Sequence, residues 1–114
     1  NYTSDFKCVS DGNGKGIVNA SVGLLTYDEF VYAGGYPTIN NKSYYLYDSR
    51  MDWWTMSPAG FSSYSNVWYS DYTNGRLPYY AVNGQFRLRA VINLKSDTQI
   101  SSGDGTINSP FVVK

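Results

Sequence analysis

Hydrophobic and polar residues alternate most regularly in the last third of the sequence, over residues 86–94. Apolar side chains take every second position there, at Phe86, Leu88, Ala90, Ile92 and Leu94. Successive side chains on a strand point to opposite faces, so a shift of one residue would bury Arg87 and Arg89. We therefore predict a strand over 86–94 that turns its apolar face to the core. We expect both arginines to pair with aspartates on its polar face.

A short helix is predicted to begin after Thr26. Thr26 is a favourable N-cap, Glu29 stands where the partner residue of a capping box is expected, and Leu25 and Phe30 have the spacing of a hydrophobic staple. Gly34 and the glycine after it favour an end to the helix. The pattern predicts about two turns, which must be held by packing because so short a helix is marginal alone.

Short apolar and aromatic runs separated by turn residues predict the other strands, at 17–25, 53–56, 66–70, 79–82, 98–101 and 111–113. Pro58 is expected to end the strand at 53–56, because proline has no backbone N–H for a ladder. The strongest hairpin pattern is at 73–76, and a glycine-rich turn is predicted at 102–105. Residues 1–16 read as a polar strand and turn. We predict a single domain over 1–114, as part of a longer protein.

Composition narrows the classes of function. Nine basic and nine acidic side chains give no net charge, which argues against nucleic acid and anionic lipid as partners. No apolar run approaches the length of about 18 residues that a membrane helix needs, so we expect no membrane insertion in this fragment. The chain has no histidine and one cysteine, Cys8, which excludes imidazole-based catalysis and an internal disulfide. We predict no metal and no cofactor.

The candidate binding surface lies where aromatic and small polar residues are interleaved, between Phe61 and Tyr80. Tyr and Trp join an apolar face to a polar group and can bind while half exposed. If Trp68 faces the core, alternation turns Tyr69 outward; the alternative is that these rings simply fill a small core. The predicted ligand-binding residues are Phe61, Tyr64, Asn66, Tyr69, Asp71, Tyr72, Asn74, Arg76, Tyr79 and Tyr80.

Catalysis would have to come from a pair of carboxylates. Asp48 and Asp52 lie close together among aromatic residues, and Asp71 is a third candidate. Such chemistry needs two acids held across a cleft, and nothing in the sequence fixes their separation. Asp52 is more simply interpreted as an ion-pair partner of Arg50 or Arg89. We expect the protein not to be an enzyme.

Five stretches in a fixed order carry a further signal: VGLLTYDEFVYAGG at 22–35, WWTMSP at 53–58, NVWY at 66–69, RLRAVINL at 87–94 and SGDGT at 102–106. Together they resemble a bacterial family of extracellular domains similar to the C-type-lectin-like and formylglycine-generating-enzyme superfamily. The resemblance covers nearly all of the chain from Val22 onward. It implies an α+β, C-type-lectin-like fold: a small twisted antiparallel sheet with one or two short helices and long irregular loops.

The resemblance also implies a setting. Domains of this kind usually belong to secreted or surface-anchored proteins of Gram-positive bacteria, some with a pilin-like N-terminus. The cysteine pair of the formylglycine-generating enzymes is missing here, so their oxidase activity is not expected. The calcium-binding tripeptide of the sugar-binding lectins is also missing. We expect a non-catalytic extracellular or cell-surface module that binds a glycan or protein ligand. The alternative is the structural head domain of a pilin-like subunit that assembles with sister copies.

Overall fold

The computed structural model describes residues 20–106 and 108–114. Over these residues the chain forms one short helix and three small antiparallel sheets, an α+β architecture. The elements are β1 (Gly23–Leu24), α1 (Tyr27–Tyr32), β2 (Trp53–Phe61), β3 (Ser65–Ser70), β4 (Tyr79–Ala81), β5 (Ala90–Val91), β6 (Ile100–Ser102) and β7 (Val112–Val113). The predicted segment at 1–16, Cys8 and the start of the strand predicted at 17–25 lie outside the described residues.

The capping box of α1 is confirmed. The Thr26 hydroxyl accepts from the backbone N–H of Glu29 at 3.2 Å, and the Glu29 carboxylate accepts from the backbone N–H of Thr26 at 2.6 Å. The helix has only 6 residues, so it depends on its packing. Phe30 is fully buried, and the backbone N–H of Tyr27 donates to the Ser57 hydroxyl on β2 at 2.9 Å. These contacts fix the helix on one face of the main sheet.

The main sheet is an antiparallel meander of β2, β3 and β4. Trp54 lies opposite Tyr69 and Trp68 lies opposite Tyr79 in its ladders. Trp68 is on the helix side, with its ring centroid 4.5 Å from that of Tyr27. Alternation therefore places Tyr69 on the other face, as expected. The predicted turn after β3 is present, within a longer connection over 71–78.

The prediction that Pro58 ends the strand at 53–56 is wrong. β2 continues through Pro58 to Phe61, with shifts of register on either side of the proline. β2 is an outer strand of the three-stranded sheet, so one side of its backbone needs no ladder partner at that point. A proline is tolerated at such an edge or beside a bulge, because no hydrogen bond is lost there.

The long strand predicted at 86–94 is also not formed. Only Ala90 and Val91 are in a strand, β5, which pairs with β1. Leu88 and Ile92 are 67% and 61% exposed, so the apolar face does not lie in the core. Alternation gives two faces to a strand, but a face becomes buried only where a second layer covers it. The described residues place no such layer over this segment.

The core lies between α1, the following loop and the helix side of the main sheet. Its buried hydrophobic residues are Tyr27, Phe30, Tyr44 and Leu77. The Tyr44 hydroxyl shares a 2.9 Å hydrogen bond with the buried hydroxyl of Ser70. Three of these four side chains carry aromatic rings, so part of the tyrosine content fills the core. The strands β6 and β7 form the predicted C-terminal hairpin as a separate small sheet.

Candidate functional site

Three of the predicted binding residues meet at one concave surface near the far end of β2. We call it the aromatic pocket, and it is lined by Ala59, Gly60, Phe61, Ser62, Asn66 and Tyr79. Its volume is about 240 Å³. Phe61 and Tyr79 are each 59% exposed. The pocket thus offers two accessible rings beside polar groups, an arrangement suited to stacking and hydrogen bonding.

Gly60 is the smallest residue in the lining of the aromatic pocket. Gly60 lies opposite Asn66 in the ladder between β2 and β3. A Cβ added to Gly60 would meet no atom within 4 Å, so the space at this position of the lining is open. A glycine inside a strand often marks a bulge or a place where another group approaches closely. Here it lies next to a register shift and forms part of the pocket lining.

The polar side of the pocket is held by the turn between β2 and β3. The side-chain amide of Asn66 donates to the carbonyl of Tyr64 at 3.2 Å, and the backbone N–H of Ser62 donates to the same carbonyl at 3.2 Å. These bonds orient the Asn66 amide, and its Oδ1 accepts no hydrogen bond from the described residues. Tyr64 itself is 59% exposed at the turn. An oriented amide oxygen is a directional acceptor for a ligand hydroxyl or N–H.

Tyr79 is positioned by Trp68. Their rings meet edge to face, with centroids 5.4 Å apart and planes at 89°. This is a favoured geometry for two aromatic rings. Trp68 is itself packed on the core ring of Tyr27. The exposed Tyr79 ring is therefore anchored through Trp68 to the core, which restricts its motion before any ligand binds.

Tyr69 and Tyr80 belong to the opposite face of the main sheet. Their ring centroids lie 4.4 and 5.5 Å from that of Phe86, and Trp54 lies 4.6 Å from the same ring. Burial raises the pKa of the Tyr69 hydroxyl, with nearby Asp52 adding to the effect. Tyr80 is 52% exposed. Together with Trp54 and Phe86, these two predicted residues form a second aromatic cluster. The sheet separates this cluster from the aromatic pocket.

Asp71, Asn74 and Arg76 lie in the connection between β3 and β4. The Asp71 carboxylate accepts from the backbone N–H of Thr73 at 2.7 Å and from the side-chain amide of Asn74 at 3.0 Å. The backbone N–H of Asp71 donates to the carbonyl of Arg76 at 2.9 Å. Asp71 is buried. In this structure these residues stabilise the loop, and they lie apart from the pocket lining.

Tyr72 links this loop to the segment before β2. Its backbone N–H donates to the Asp52 carboxylate at 3.0 Å, and its carbonyl accepts from the Tyr47 hydroxyl at 2.8 Å. Burial raises the pKa of Asp52, although the hydrogen bond from Tyr72 acts in the opposite direction. The Tyr72 ring, 44% exposed, lies beside a small cleft that includes Asp52 and Phe86.

The interpretation of Asp52 as an ion-pair partner of Arg50 or Arg89 is wrong. Arg50 instead makes two hydrogen bonds to the buried carboxylate of Asp48, at 2.9 and 2.7 Å. These bonds lower the pKa of Asp48 to about 2. Within 20–106 and 108–114 this is the only salt bridge, so the ion pairs expected for Arg87 and Arg89 are not formed. Arg89 stacks on the ring of Trp53 at 5.3 Å.

Three residues that stand out in the structure were not among the predicted binding residues. Gly60 carried no prediction, although a glycine two positions after a proline in an aromatic strand is a detectable sign of a bulge. Phe86 was assigned to a core strand, yet it organises the second aromatic cluster. Tyr45 is 82% exposed, and no local pattern distinguishes it from Tyr44, its buried neighbour.

Comparisons with protein-family models, with curated proteins and with solved structures found no match to this chain. No helix in the described part of the chain is long and apolar enough to span a membrane. Among the same residues no group of three or more potential metal-binding side chains is brought together. The functional argument therefore rests on the geometry of the side chains themselves.

Proposed function

We propose that this chain is a non-catalytic, extracellular recognition module that binds a glycan or a protein ligand through the aromatic pocket. The observation that carries the proposal is the pair of accessible rings, Phe61 and Tyr79, which line one pocket together with Asn66. Aromatic faces stack on the apolar face of a sugar ring or on a ligand side chain, and the amide gives direction. Tyr64, 59% exposed at the adjoining turn, extends this surface.

A C-type-lectin-like fold and a cell-surface location belong to the same proposal. Their support is the resemblance in the order of the sequence motifs, together with the short helix capped at Thr26 and the small antiparallel sheets. The non-catalytic character is supported by two of the three candidate aspartates, Asp48 and Asp71. Asp48 is neutralised by Arg50 and Asp71 is committed to its loop, so neither carboxylate is available as an acid or base.

Binding to a glycan array and to candidate surface proteins tests the proposal directly. Tyr79→Ala removes one ring, and Gly60→Leu adds a bulky side chain to the pocket lining at a position where an added Cβ meets no neighbour. We expect both variants to lose binding while their melting temperatures stay close to that of the wild type. Tyr32→Ala, which alters a ring that is 92% exposed on the helix, is the control and should bind normally.

Two results would contradict the proposal. One is undiminished binding by Gly60→Leu and Tyr79→Ala, which would place the ligand elsewhere on the molecule. The other is unfolding of Tyr79→Ala with loss of binding, while folded Gly60→Leu binds normally. In that case the Tyr79 ring would be a packing residue for Trp68 and the pocket would have no role.

The second candidate function is that of a structural head domain in a pilin-like or surface-anchored assembly. The observation that favours it is the run of exposed aliphatic side chains at Leu88, Ile92 and Leu94, which are 67%, 61% and 56% exposed. Clustered exposed apolar residues often mark protein contacts. Sedimentation analysis of the Leu88→Gln, Ile92→Gln double variant tests this second function. Self-association should be weaker in the double variant and unchanged in Gly60→Leu.

A further inference from the structure

A second and larger cleft lies between the loop that precedes β2 and the turn that precedes β7. We call it the Arg89 cleft; its volume is about 770 Å³, and its lining includes Tyr45, Leu46, Ser49, Arg89, Thr106 and Pro110. This volume falls in the range of roughly 300–1,000 Å³ that is usual for small-ligand sites. The cleft shares no lining residue with the aromatic pocket.

The guanidinium of Arg89 is fixed in this cleft. One of its terminal nitrogens donates to the carbonyl of Leu46 at 2.9 Å. Its central carbon lies 5.3 Å from the centre of the Trp53 ring, a distance at which the cation and the ring attract. A guanidinium has five N–H donors, and the hydrogen bond to Leu46 is the only one that Arg89 makes with the described residues. Donors therefore remain for a ligand on a side chain that is already oriented.

The positive charge of Arg89 is not neutralised by the acidic group in the same cleft. Asp48 also lines the cleft, but Arg50 holds its carboxylate in two hydrogen bonds. These two residues form a closed pair with no net charge. The residues that line the cleft therefore carry one net positive charge, that of Arg89, and no other salt bridge occurs within the described ranges.

We propose that the Arg89 cleft binds the carboxylate of an acidic saccharide. A planar guanidinium recognises a carboxylate through paired, charge-assisted hydrogen bonds. The Tyr45 ring is 82% exposed and presents a stacking face for a sugar ring. Ser49 and Thr106 bring hydroxyl groups to the lining; the Thr106 hydroxyl also donates to the Asp104 carboxylate. A peptide carboxylate would use the guanidinium but would gain less from these hydroxyls.

Titration of the folded protein with digalacturonate, followed by calorimetry and amide NMR shifts, tests the assignment. Digalacturonate should bind, and its uncharged methyl ester should bind about tenfold more weakly or worse, because a hydrogen-bonded charge is lost. Arg89→Gln should reduce affinity by a similar factor. Arg87→Gln is the matched control: it removes an exposed arginine two positions away and should leave binding unchanged.

Two further variants keep the test decisive if Arg89→Gln fails to fold. Tyr45→Ala removes the exposed ring and should weaken binding at unchanged melting temperature. Arg50→Gln releases the Asp48 carboxylate, cancels the excess charge and should also weaken binding. The Gly60→Leu variant should still bind digalacturonate, so failure of the aromatic pocket and failure of the Arg89 cleft are distinguishable.

Three outcomes would overturn the proposal. The first is equal binding of digalacturonate and its methyl ester. The second is binding of an N-acetylated dipeptide or of inorganic sulfate as tightly as digalacturonate, which would indicate a general anion site. The third is normal affinity in folded Tyr45→Ala and Arg50→Gln.

Discussion

The backbone of Gly75 runs directly against the carbonyl group of Asn41, leaving no room for a Cβ between them. Gly75 also has a φ of 67°, in the left-handed region that glycine adopts readily and other residues do not. This contact joins the loop before β2 to the connection between β3 and β4. The position therefore requires glycine on two independent grounds.

Gly75→Ala is accordingly expected to destabilise the protein. The left-handed conformation costs a residue with a Cβ about 1–2 kcal/mol, and displacement of Asn41 adds to this. Urea denaturation should show a lower free energy of unfolding. Gly60→Ala is the matched control, because a Cβ there meets open space; a change within about 0.5 kcal/mol is expected. Equal effects at the two glycines would refute the close approach.

A buried pair of hydroxyl groups supports the core. The Tyr44 and Ser70 hydroxyls are 2.9 Å apart, and Ser70 is only 1% exposed. Tyr44→Phe should cost about 1–2 kcal/mol in unfolding free energy, because it leaves the Ser70 hydroxyl without this partner. Combined with Ser70→Ala in a double-mutant cycle, the two changes should cost less than the sum of the single effects. Strict additivity would show that the hydrogen bond contributes nothing.

Alkaline unfolding should involve the same tyrosine. Burial raises the pKa of Tyr44 above its ordinary value of 10.0. A raised pKa in the folded state means that folding favours the protonated phenol. The stability that this phenol contributes is fully present at pH values below its pKa in the unfolded chain. It is lost as the pH rises through its pKa in the folded protein. The free energy of unfolding should therefore fall above about pH 10, and Tyr44→Phe should reduce that slope. An unchanged slope would contradict the burial of this hydroxyl.

Acid stability should depend on Asp48. Its pKa falls from 3.8 to about 2 through the hydrogen bonds from Arg50. A lowered pKa means that the ionised carboxylate stabilises the folded protein at pH values above its pKa in the unfolded chain. This stabilisation is lost as the pH falls through the pKa of the folded protein. Stability should decline between about pH 4 and pH 2. Because Arg50 is exposed, Arg50→Gln should lower the free energy of unfolding only slightly at neutral pH. It should also shift the acid midpoint upward, whereas Arg87→Gln should not.

The capping box gives a further change that can be measured. Thr26→Ala removes the hydroxyl that accepts from Glu29 and should cost about 1 kcal/mol in unfolding free energy. Glu29→Gln retains an acceptor for the N–H of Thr26 and should have a smaller effect. If both variants unfold at the wild-type midpoint, α1 is held by Phe30 and its other packing contacts alone.

Features that depend on neighbouring residues could be predicted from the sequence. The Thr26–Glu29 cap, the turn at Gly75 and the C-terminal hairpin follow from local hydrogen bonding and backbone preference, and the structure contains all three. Alternation also assigned Trp68 and Tyr69 to opposite faces of β3. That assignment needed only the period of a strand.

The tertiary structure determined whether each face of a strand packs against other residues or is exposed to solvent. Among the residues that the structure describes, no second layer packs on the alternating segment at 86–94, which is therefore mostly exposed, and Arg89 contacts the Trp53 ring instead of an aspartate. In the same way Tyr44 is buried and Tyr45 is exposed, although they are adjacent and chemically identical. A sequence specifies where side chains point relative to their own strand or helix. Burial and ligand access depend on distant residues brought alongside, and local patterns carry no information about those.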